Sequence, residues 1–454
     1  MKLPDGPKVM SPLQILQLVA DPPNYLQACA RKYGDPFTLR ALGTHSPPAV
    51  FFGHPEAIEA IFTADADTFE LGRITHVFEP LTGSQSLIAK DGPEHRRLRQ
   101  VLMPPLHGRQ LPRYAEKIAA IASSVTDRWR VGDTFSIRND TADISLQTIL
   151  RVVLGLEPGP LYNRLRQTIQ PYLEWVNSPL NSVQFFWPPL QRDWGAWSPW
   201  GKFCRRRRQI DDLIDTAIRD RRDAPGGDDI LSLLISARDE RGEPMTDGEL
   251  RDQIITLLLL GNDTTASALD WVFYWIHRHP EIRDKLTAEL ADFGTAPDPA
   301  DLTQLPYLTA VCREALRIHP IALISQPRLV REPVTIRGDR FDPGTVLVPC
   351  IHLAHRRSQT YPEPERFRPE RFLERRFSPY EYFPFGGGSR ICVGMALSLF
   401  EMKIVLAAVL SRCRFSLANN GPVRPVRRGI TIVPSDNFQL TVEAVRPSSI
   451  PCYI

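Results

Sequence analysis

The sequence predicts a mainly α-helical fold with a smaller β-rich part near its C-terminal end. A long apolar helix is marked at both ends, by Thr246-Asp-Gly-Glu249 and by Pro280. Threonine and glutamate at this spacing form a capping box, and proline ends a helix. From Val334 onward the pattern changes to short strands separated by turns. These observations predict a helical core followed by strands.

The composition indicates one globular domain. The chain has 454 residues, of which 43% are hydrophobic and 24% charged, which is ordinary for such proteins. No long polar linker divides it, so we expect a single domain over residues 1–454. A net charge of +3 is too small to indicate nucleic acid as a partner. No apolar run approaches the ~20 residues that span a bilayer, and the N-terminus resembles neither a signal peptide nor an anchor.

The cysteines argue against a disulfide framework and against a zinc site. Seven are scattered along the chain, and no two form a C-x-x-C pair. This usage favours a reducing compartment, and hence the cytoplasm. The seven are Cys29, Cys204, Cys312, Cys350, Cys392, Cys413 and Cys452.

The N-terminal half alternates short strands with helices before becoming mainly helical. Residues 37–42 and Ala49–Phe52 are β-like, and Pro55–Thr63 is helical in pattern. A further helix begins at Asp91, and residues 111–222 are mostly helical.

Residues 175–200 interrupt the helical region with five of the eight tryptophans, and Arg205 to Arg208 follow. One interpretation is an aromatic cluster beside a solvated charge run. The other is an entrance region that touches lipid or an apolar substrate, which would give peripheral membrane contact. The tryptophans are Trp175, Trp187, Trp194, Trp197 and Trp200.

The long helix is apolar on every face over residues 254–260, which predicts a position in the core. Its pattern breaks at Gly261-Asn-Asp-Thr-Thr265. Thr264 could bond back to a carbonyl one turn earlier. Alternatively, Asp263 and Thr264 could deliver protons through water to bound dioxygen beside an opened helix groove. At the end of the chain, residues 430–433 and 438–442 read as a hairpin joined by residues 434–437.

A glycine-rich stretch, residues 385–394, places one cysteine before an apolar helix at about residues 393–410. Glycines permit close approach of the backbone, and a helix start favours a thiolate. A lone cysteine is otherwise a buried small hydrophobe. The spacing of Phe385, Gly388, Arg390, Cys392 and Gly394 resembles the haem-binding signature of the cytochrome P-450 family. Residues 271–277 and 380–385 resemble, more narrowly, soluble bacterial, cyanobacterial-type members. The resemblance implies the cytochrome P-450 fold, haem b (iron protoporphyrin IX) as cofactor, and Cys392 as the iron ligand.

Further motifs match the family in order along the chain. Gly261 to Thr265 resembles its oxygen-activation motif, with Thr264 and Asp263 as catalytic residues. Leu260 stands where the family has Ala or Gly, which would narrow the space above the iron. Glu314 and Arg317 share a helix face.

By the same resemblance, Glu314, Arg317 and Arg371 form a buried structural network that supports the cysteine loop. His95, Arg99, Arg328 and Arg390 are implied as partners of the haem propionates, a role that suits arginine. Arg96 and Arg97 are expected to be exposed.

The resemblance implies a monooxygenase that inserts one oxygen atom from O2 into an apolar substrate. Long-chain fatty acid hydroxylation is the first expectation, and terpenoid (sesquiterpene) hydroxylation or epoxidation is the alternative. The family's substrate-contact regions correspond to residues 73–88, 257–261, 321–325 and 437–438. Arg73 could anchor a carboxylate, although an exposed loop arginine is the simpler interpretation.

Electrons must come from a partner, because the sequence has no flavin or iron–sulfur motif. We expect a ferredoxin or flavodoxin with its reductase, docking near Arg96, Arg97 and Lys403, and a monomeric enzyme. A peroxide-driven peroxygenase and a non-catalytic haem protein are the other classes. Neither would need Asp263 and Thr264, so the acid–threonine pair argues against both.

Overall fold

The structure is a computed structural model that describes residues 3–40, 47–65, 67–186, 188–195, 197–293, 298–419 and 421–446. These residues form 19 α-helices and 12 short strands, so the prediction of a mainly α fold with a small β part is confirmed. The helices are α1 Ser11–Ala20, α2 Pro22–Tyr33, α3 Pro55–Thr63, α4 Gly72–Thr75, α5 Glu79–Thr82, α6 Gly92–Leu102, α7 Ala115–Thr126, α8 Arg138–Thr148, α9 Pro160–Asn177, α10 Pro179–Phe186, α11 Pro199–Asp223, α12 Ile230–Ser236, α13 Asp247–Arg278, α14 Pro280–Asp292, α15 Pro299–Leu302, α16 Pro306–Ile318, α17 Ile351–Ala354, α18 Arg371–Glu374 and α19 Met395–Arg412.

The strands form four small sheets in the described residues. The largest has the order β1-β2-β8-β5-β3, and the others are β4-β12-β9, β6-β7 and β10-β11. The strands are β1 Phe37–Leu39, β2 Ala49–Phe52, β3 Phe69–Glu70, β4 Thr134–Phe135, β5 Arg328–Val330, β6 Val334–Ile336, β7 Asp339–Phe341, β8 Val346–Pro349, β9 Cys413–Leu417, β10 Pro425–Arg428, β11 Thr431–Pro434 and β12 Leu440–Val445.

The chain divides into two compact units, and each consists of three separate segments. Unit 1 comprises Met1–His76, Arg313–Cys392 and Arg424–Val433, and unit 2 comprises Val77–Cys312, Val393–Val423 and Pro434–Ile454. The organisation of residues 1–454 as one folding domain stays a prediction.

Unit 1 is built on the five-stranded sheet. Alternate residues of β2 enter two different apolar clusters: Val50 and Phe52 pack in one, and Ala49 and Phe51 pack in the other. Phe51 stacks on Phe37 with ring centroids 5.5 Å apart. Both faces of this strand are therefore covered, which explains why it is apolar at every position.

Unit 2 is built around α13. Its capping box is present, because Thr246 accepts from the Glu249 amide and the Glu249 carboxylate accepts from the Thr246 amide. The helix ends at Arg278, before Pro280, and α8, α11 and α19 pack along it. The predicted helix is confirmed in extent. Four of residues 254–260 are buried, whereas Leu257, Leu259 and Leu260 are half-exposed.

The predicted C-terminal hairpin is wrong. β11 pairs with β10, whereas β12 pairs with β9 and β4 in a different sheet. Residues 434–437 therefore connect two sheets. The turn-like residues predicted a local pairing, but β12 instead pairs antiparallel over most of its length with β9, which lies more than 20 residues earlier in the chain.

The other predicted helices and strands differ from the observed ones only in the residues at which they begin or end. The helix at Pro55–Thr63 is confirmed as α3, the first strand ends at Leu39, and the helix after the cysteine begins at Met395. Residues 111–222 are mainly helical. None of the described helices combines the length and the apolar composition that a bilayer crossing demands.

Three fully buried histidines make the protein sensitive to acid. Burial lowers the pKa of His277 to about 4 and that of His355 to about 3, and it also lowers the pKa of His352. These values lie below the value near 6.5 in the unfolded chain, so the unfolded chain binds more protons as the pH falls below about 6.5. Folding stability is therefore lost in that pH range.

We predict that His355→Gln reduces this acid sensitivity. Between pH 7.5 and 5.5, each such histidine lowers the free energy of unfolding by about 1.4 kcal/mol, and the variant should lose that much less than wild type. Urea unfolding at both pH values measures this difference in the free energy of unfolding. His76→Gln is the control, because His76 is exposed. An identical pH dependence in wild type and His355→Gln would contradict the assignment.

Candidate active site

The cysteine loop of unit 1 is a tight turn on which Cys392 is exposed. Gly388–Arg390 forms one turn of 3-10 helix, and the Cys392 amide donates a hydrogen bond to the Phe385 carbonyl at 3.0 Å. The side chain of Cys392 is exposed, and the six cysteines in the described part of the chain form no disulfide. Arg390 and Phe385 are half-buried.

Glycines in this loop allow it to lie against α3. Gly388 has φ +65°, and a Cβ there would come within 2.6 Å of the Phe62 carbonyl oxygen. A Cβ on Gly387 would meet the Phe62 ring at 2.2 Å. Arg328 is buried, donates to the Gly387 carbonyl at 3.3 Å and lies over the same ring. This propionate candidate is therefore in contact with the cysteine loop.

A buried carboxylate with two guanidinium groups lies in the same unit. Arg317 donates to both oxygens of Glu314, at 2.7 and 2.9 Å, and Arg371 donates to Glu314 Oε1 at 3.0 Å. The three side chains are at most 4% exposed. The structure thus brings together the three residues that the sequence grouped.

The network extends toward the cysteine loop through backbone groups. Arg317 donates to the carbonyl of His355 at 2.9 Å, and His355 Nε2 accepts from the Phe383 amide at 3.0 Å. Tyr361 lies against both guanidinium groups and donates to the Glu381 carbonyl at 3.0 Å. The segment that leads into Phe385 is therefore fixed by groups that also hold the network.

In unit 2, α13 leaves one stripe of its surface open. Leu257, Leu260, Gly261 and Thr264 are half-exposed, and their spacing places them on one face. Apart from Leu259, the neighbouring residues of 253–265 are buried. The middle of this core helix therefore has a largely apolar stripe that is only partly covered.

The segment at residues 85–87 is fastened beside this stripe. Gln253 donates to the Gln85 carbonyl at 2.6 Å and accepts from the Leu87 amide at 2.9 Å. The hydroxyls of Ser86 and Thr256 are 2.7 Å apart. Part of the predicted substrate-contact segment at residues 73–88 therefore lies along α13, one turn before Leu260. The side chain of Arg73 lies outside the described part of the chain.

Thr264 forms the hydrogen bond to a carbonyl one turn earlier that the sequence analysis gave as one of two interpretations. Its hydroxyl donates to the Leu260 carbonyl at 2.6 Å. The helix is continuous across Gly261 to Thr265, so the expected opening of the helix is not present in its hydrogen bonding. A π-helical turn lies at Ile149–Val153 instead, and Ile149 would be 3.3 Å from a Cβ on Gly261.

Asp263 is held by an arginine that the sequence analysis missed. Arg138 on α8 bonds Asp263 at 2.5 Å through one nitrogen and Asp270 at 2.7 Å through another. Burial would lower the pKa of Arg138, but the two carboxylates outweigh it and raise that pKa. Burial raises the pKa of Asp270, which also accepts from the Thr141 hydroxyl at 2.7 Å.

The remaining predicted residues lie in both units. His95 on α6 is buried and Arg99, one turn later, is half-buried. Gly394 is the N-cap residue of α19. These belong to unit 2, whereas Cys392, Phe385, Gly388, Arg328 and Arg390 belong to unit 1.

Two cations expected at a docking surface are engaged within the protein. Arg97 forms ion pairs with Glu249 and, at 3.6 Å, with Asp239, so it is not the solvated residue that the sequence predicted. Lys403 donates to the Thr303 carbonyl at 2.7 Å. Only Arg96 of the three is exposed.

The donor chemistry within unit 1 fits haem b. The group needs a ligand for its iron and cationic or donor partners for two propionates. Unit 1 contains donors of both kinds, namely the thiol of Cys392 and the guanidinium groups of Arg328 and Arg390.

Comparison with known proteins agrees with this chemistry. The family model for cytochrome P-450 matches residues 4–442. The class is therefore that of haem-thiolate monooxygenases, in which haem b is bound through a cysteine thiolate. The chain belongs to the cytochrome P-450 family.

Several relatives and solved structures are similar over nearly the whole length. Cytochrome P-450 135B1 of Mycobacterium bovis is 34% identical, covering 99% of this chain and 93% of the relative. Cytochrome P-450 137 of Mycobacterium tuberculosis is also 34% identical, over 89% of this chain and 82% of the relative. A retinoic acid-bound cyanobacterial CYP120A1 has TM-score 0.83 and 24% identity, covering 98% and 100% of the two chains.

We predict that Glu314→Gln destabilises unit 1 strongly. The change leaves two buried guanidinium groups without a counter-charge, and breaking such an arrangement costs about 3–5 kcal/mol. Urea unfolding measures the loss. Glu363→Gln is the matched control, because Glu363 pairs with Arg366 at the surface and an exposed pair contributes less than about 1 kcal/mol. Equal effects of the two substitutions would show that the network has no special role.

Proposed function

We propose that Cys392 would hold haem b through its sulfur. The observation that carries this proposal is that Cys392 is exposed on a loop closed by the Cys392–Phe385 hydrogen bond. Gly388 supports the loop by allowing it to pack on α3, and Gly394 begins the helix that follows. When bound, the thiolate-ligated haem supplies the activation of O2 and the insertion of one oxygen atom.

His95, Arg99, Arg328 and Arg390 are proposed to bind the haem propionates. Burial strengthens such charge-assisted bonds, and His95 and Arg328 are 5% and 4% exposed. Arg328 also holds the Gly387 carbonyl. Its side chain therefore links propionate binding to the position of the cysteine loop.

Thr264 and Asp263 are proposed to deliver protons for oxygen activation. The Thr264 hydroxyl lies on the open stripe of α13, and its bond to the Leu260 carbonyl must break before it can donate elsewhere. The Oδ1 atom of Asp263 must likewise leave Arg138 before that oxygen can exchange a proton. The acid–threonine pair favours an O2-dependent monooxygenase over a peroxide-driven peroxygenase.

The substrate is proposed to be a long-chain fatty acid, with a terpenoid as the alternative. Leu257, Leu260 and Gly261 offer an apolar wall beside the fastened segment at residues 85–87. The cyanobacterial relative of known structure was solved with retinoic acid, which makes that compound a useful probe for the alternative.

The electron donor is proposed to be a ferredoxin or flavodoxin with its reductase. Arg96 is the remaining exposed cation of the expected docking set. The protein is proposed to be a monomer. It is proposed to lie in the cytoplasm, because seven scattered cysteines without a paired pattern favour a reducing compartment.

A peripheral membrane contact is proposed at the tryptophan-rich stretch. Trp194 and Trp197 are 58% and 70% exposed and stack on each other at 6.2 Å. Arg205 lies nearby and donates to the Gly195 carbonyl, while Arg207 is buried against Asp211 and is unavailable to lipid. Trp187 lies outside the described residues. Unchanged sedimentation of a Trp194→Ala/Trp197→Ala variant with anionic vesicles would refute this contact.

We predict that Cys392→Ser abolishes the thiolate signature. The reduced, carbon-monoxide-bound wild type should absorb near the red-shifted position that thiolate ligation produces, and the variant should not. Cys204→Ser is the control, because Cys204 is also only partly buried. A red-shifted band retained in Cys392→Ser would exclude this ligand.

We predict that Thr264→Ala keeps haem binding but uncouples electron use from product. Peroxide release per NADH should rise at least threefold with a ferredoxin system, because proton delivery is lost. Thr265→Ala is the control, since Thr265 bonds Ser398 and lies outside the open stripe. Faster wild-type turnover with hydrogen peroxide than with ferredoxin would favour the peroxygenase.

We predict that palmitic acid binds to the haem-loaded resting enzyme and shifts its absorption spectrum. Retinoic acid and a sesquiterpene are the comparison ligands in the same titration. The fatty acid assignment requires palmitic acid to bind more tightly than either. Tighter binding of a comparison ligand would transfer the assignment to terpenoids.

A further inference from the structure

The cluster of Arg138, Asp263 and Asp270 has two carboxylates and one guanidinium. Arg138 bonds the two acids through different nitrogens, and the acids lie seven residues apart on one face of α13. Ser267, between them on that face, bonds the Asp263 carbonyl and accepts from Arg138 at 3.4 Å. The formal charge of the three ionised groups is −1, so the two acids share one counter-charge.

The two acids are not equivalent. The side chain of Asp270 is 1% exposed and is held a second time by the Thr141 hydroxyl at 2.7 Å. The side chain of Asp263 is 11% exposed, and the next residue along the helix is Thr264. Asp270 is thus the fixed partner of Arg138, and Asp263 is the partner nearer the open stripe.

We propose that Asp270 is a positioning residue that allows Asp263 to leave Arg138 during proton delivery. This inference rests on the proposed role of Asp263. If Asp263 were the sole partner, its departure would strand a buried guanidinium, which is strongly unfavourable. Because Asp270 keeps Arg138 paired, the departure of Asp263 costs only the loss of one charge-assisted hydrogen bond.

The first test measures stability and is independent of turnover. Asp263→Asn is made in wild type and in an Asp270→Asn background, and urea midpoints are followed by circular dichroism of the haem-loaded protein. The midpoint shift caused by Asp263→Asn should be at least twofold larger in the Asp270→Asn background, where it leaves Arg138 without a counter-charge. Equal shifts would overturn the inference.

The second test measures proton delivery. With a ferredoxin system and palmitic acid as the probe, Asp270→Asn should slow NADH consumption at least threefold and increase its solvent deuterium isotope effect, because Asp263 is then locked to Arg138. Asp263→Asn is the reference variant. If Asp263→Asn leaves both quantities unchanged, the proposed relay fails. If it changes them but Asp270→Asn does not, only the positioning role fails.

A second variant covers the case in which Asp270→Asn does not fold. Thr141→Val removes the hydroxyl that anchors Asp270 but leaves all three charges in place. In this background the midpoint shift caused by Asp263→Asn should exceed the wild-type shift. An unchanged shift would contradict the anchoring of Asp270.

Discussion

Glu314 and its two arginines form the interaction on which the rest of unit 1 depends. One buried carboxylate faces two buried guanidinium groups, so the ion pairs leave an excess positive charge in the interior. Backbone carbonyls compensate for it: Arg317 donates to those of Pro364 and Arg366, and Arg371 to that of Pro362. The loop before α18 must therefore point its carbonyls inward, since a buried charge without partners is costly.

Unit 2 has a buried cluster with the opposite imbalance, an excess of negative charge. Two acids on α13 face one guanidinium from α8, and hydroxyl groups supply the remaining hydrogen bonds. Different turns of α13 thus make different contacts. Gln253 fastens a neighbouring segment, Leu257 and Gly261 leave open space, and Asp263 and Asp270 bind Arg138.

Patterns close together in sequence predicted the structure well, whereas no local pattern predicts a pairing between distant residues. Arg371, 57 residues from Glu314, was grouped with it only through the family resemblance. The capping box at Thr246 and the spacing around Cys392 are local, so the helix and the loop could be read directly. Arg138 is 125 residues from Asp263, and no local pattern connects them. The only available signal was a pair of acids on one face of a buried helix, which requires a cation from elsewhere. The C-terminal hairpin failed for the same reason, because β12 pairs with a strand far along the chain.

The segmented architecture has a consequence for recombination between related enzymes. One passage of the chain between the units falls between Cys392 and Val393, inside the stretch from Phe385 to Gly394. A chimera joined there would take the cysteine from one parent and its following helix from the other. A junction between Cys312 and Arg313 instead keeps the whole stretch from Phe385 to Gly394 in one parental block. Gene shuffling should therefore tolerate the second crossover better than the first, although both coincide with boundaries of compact structure.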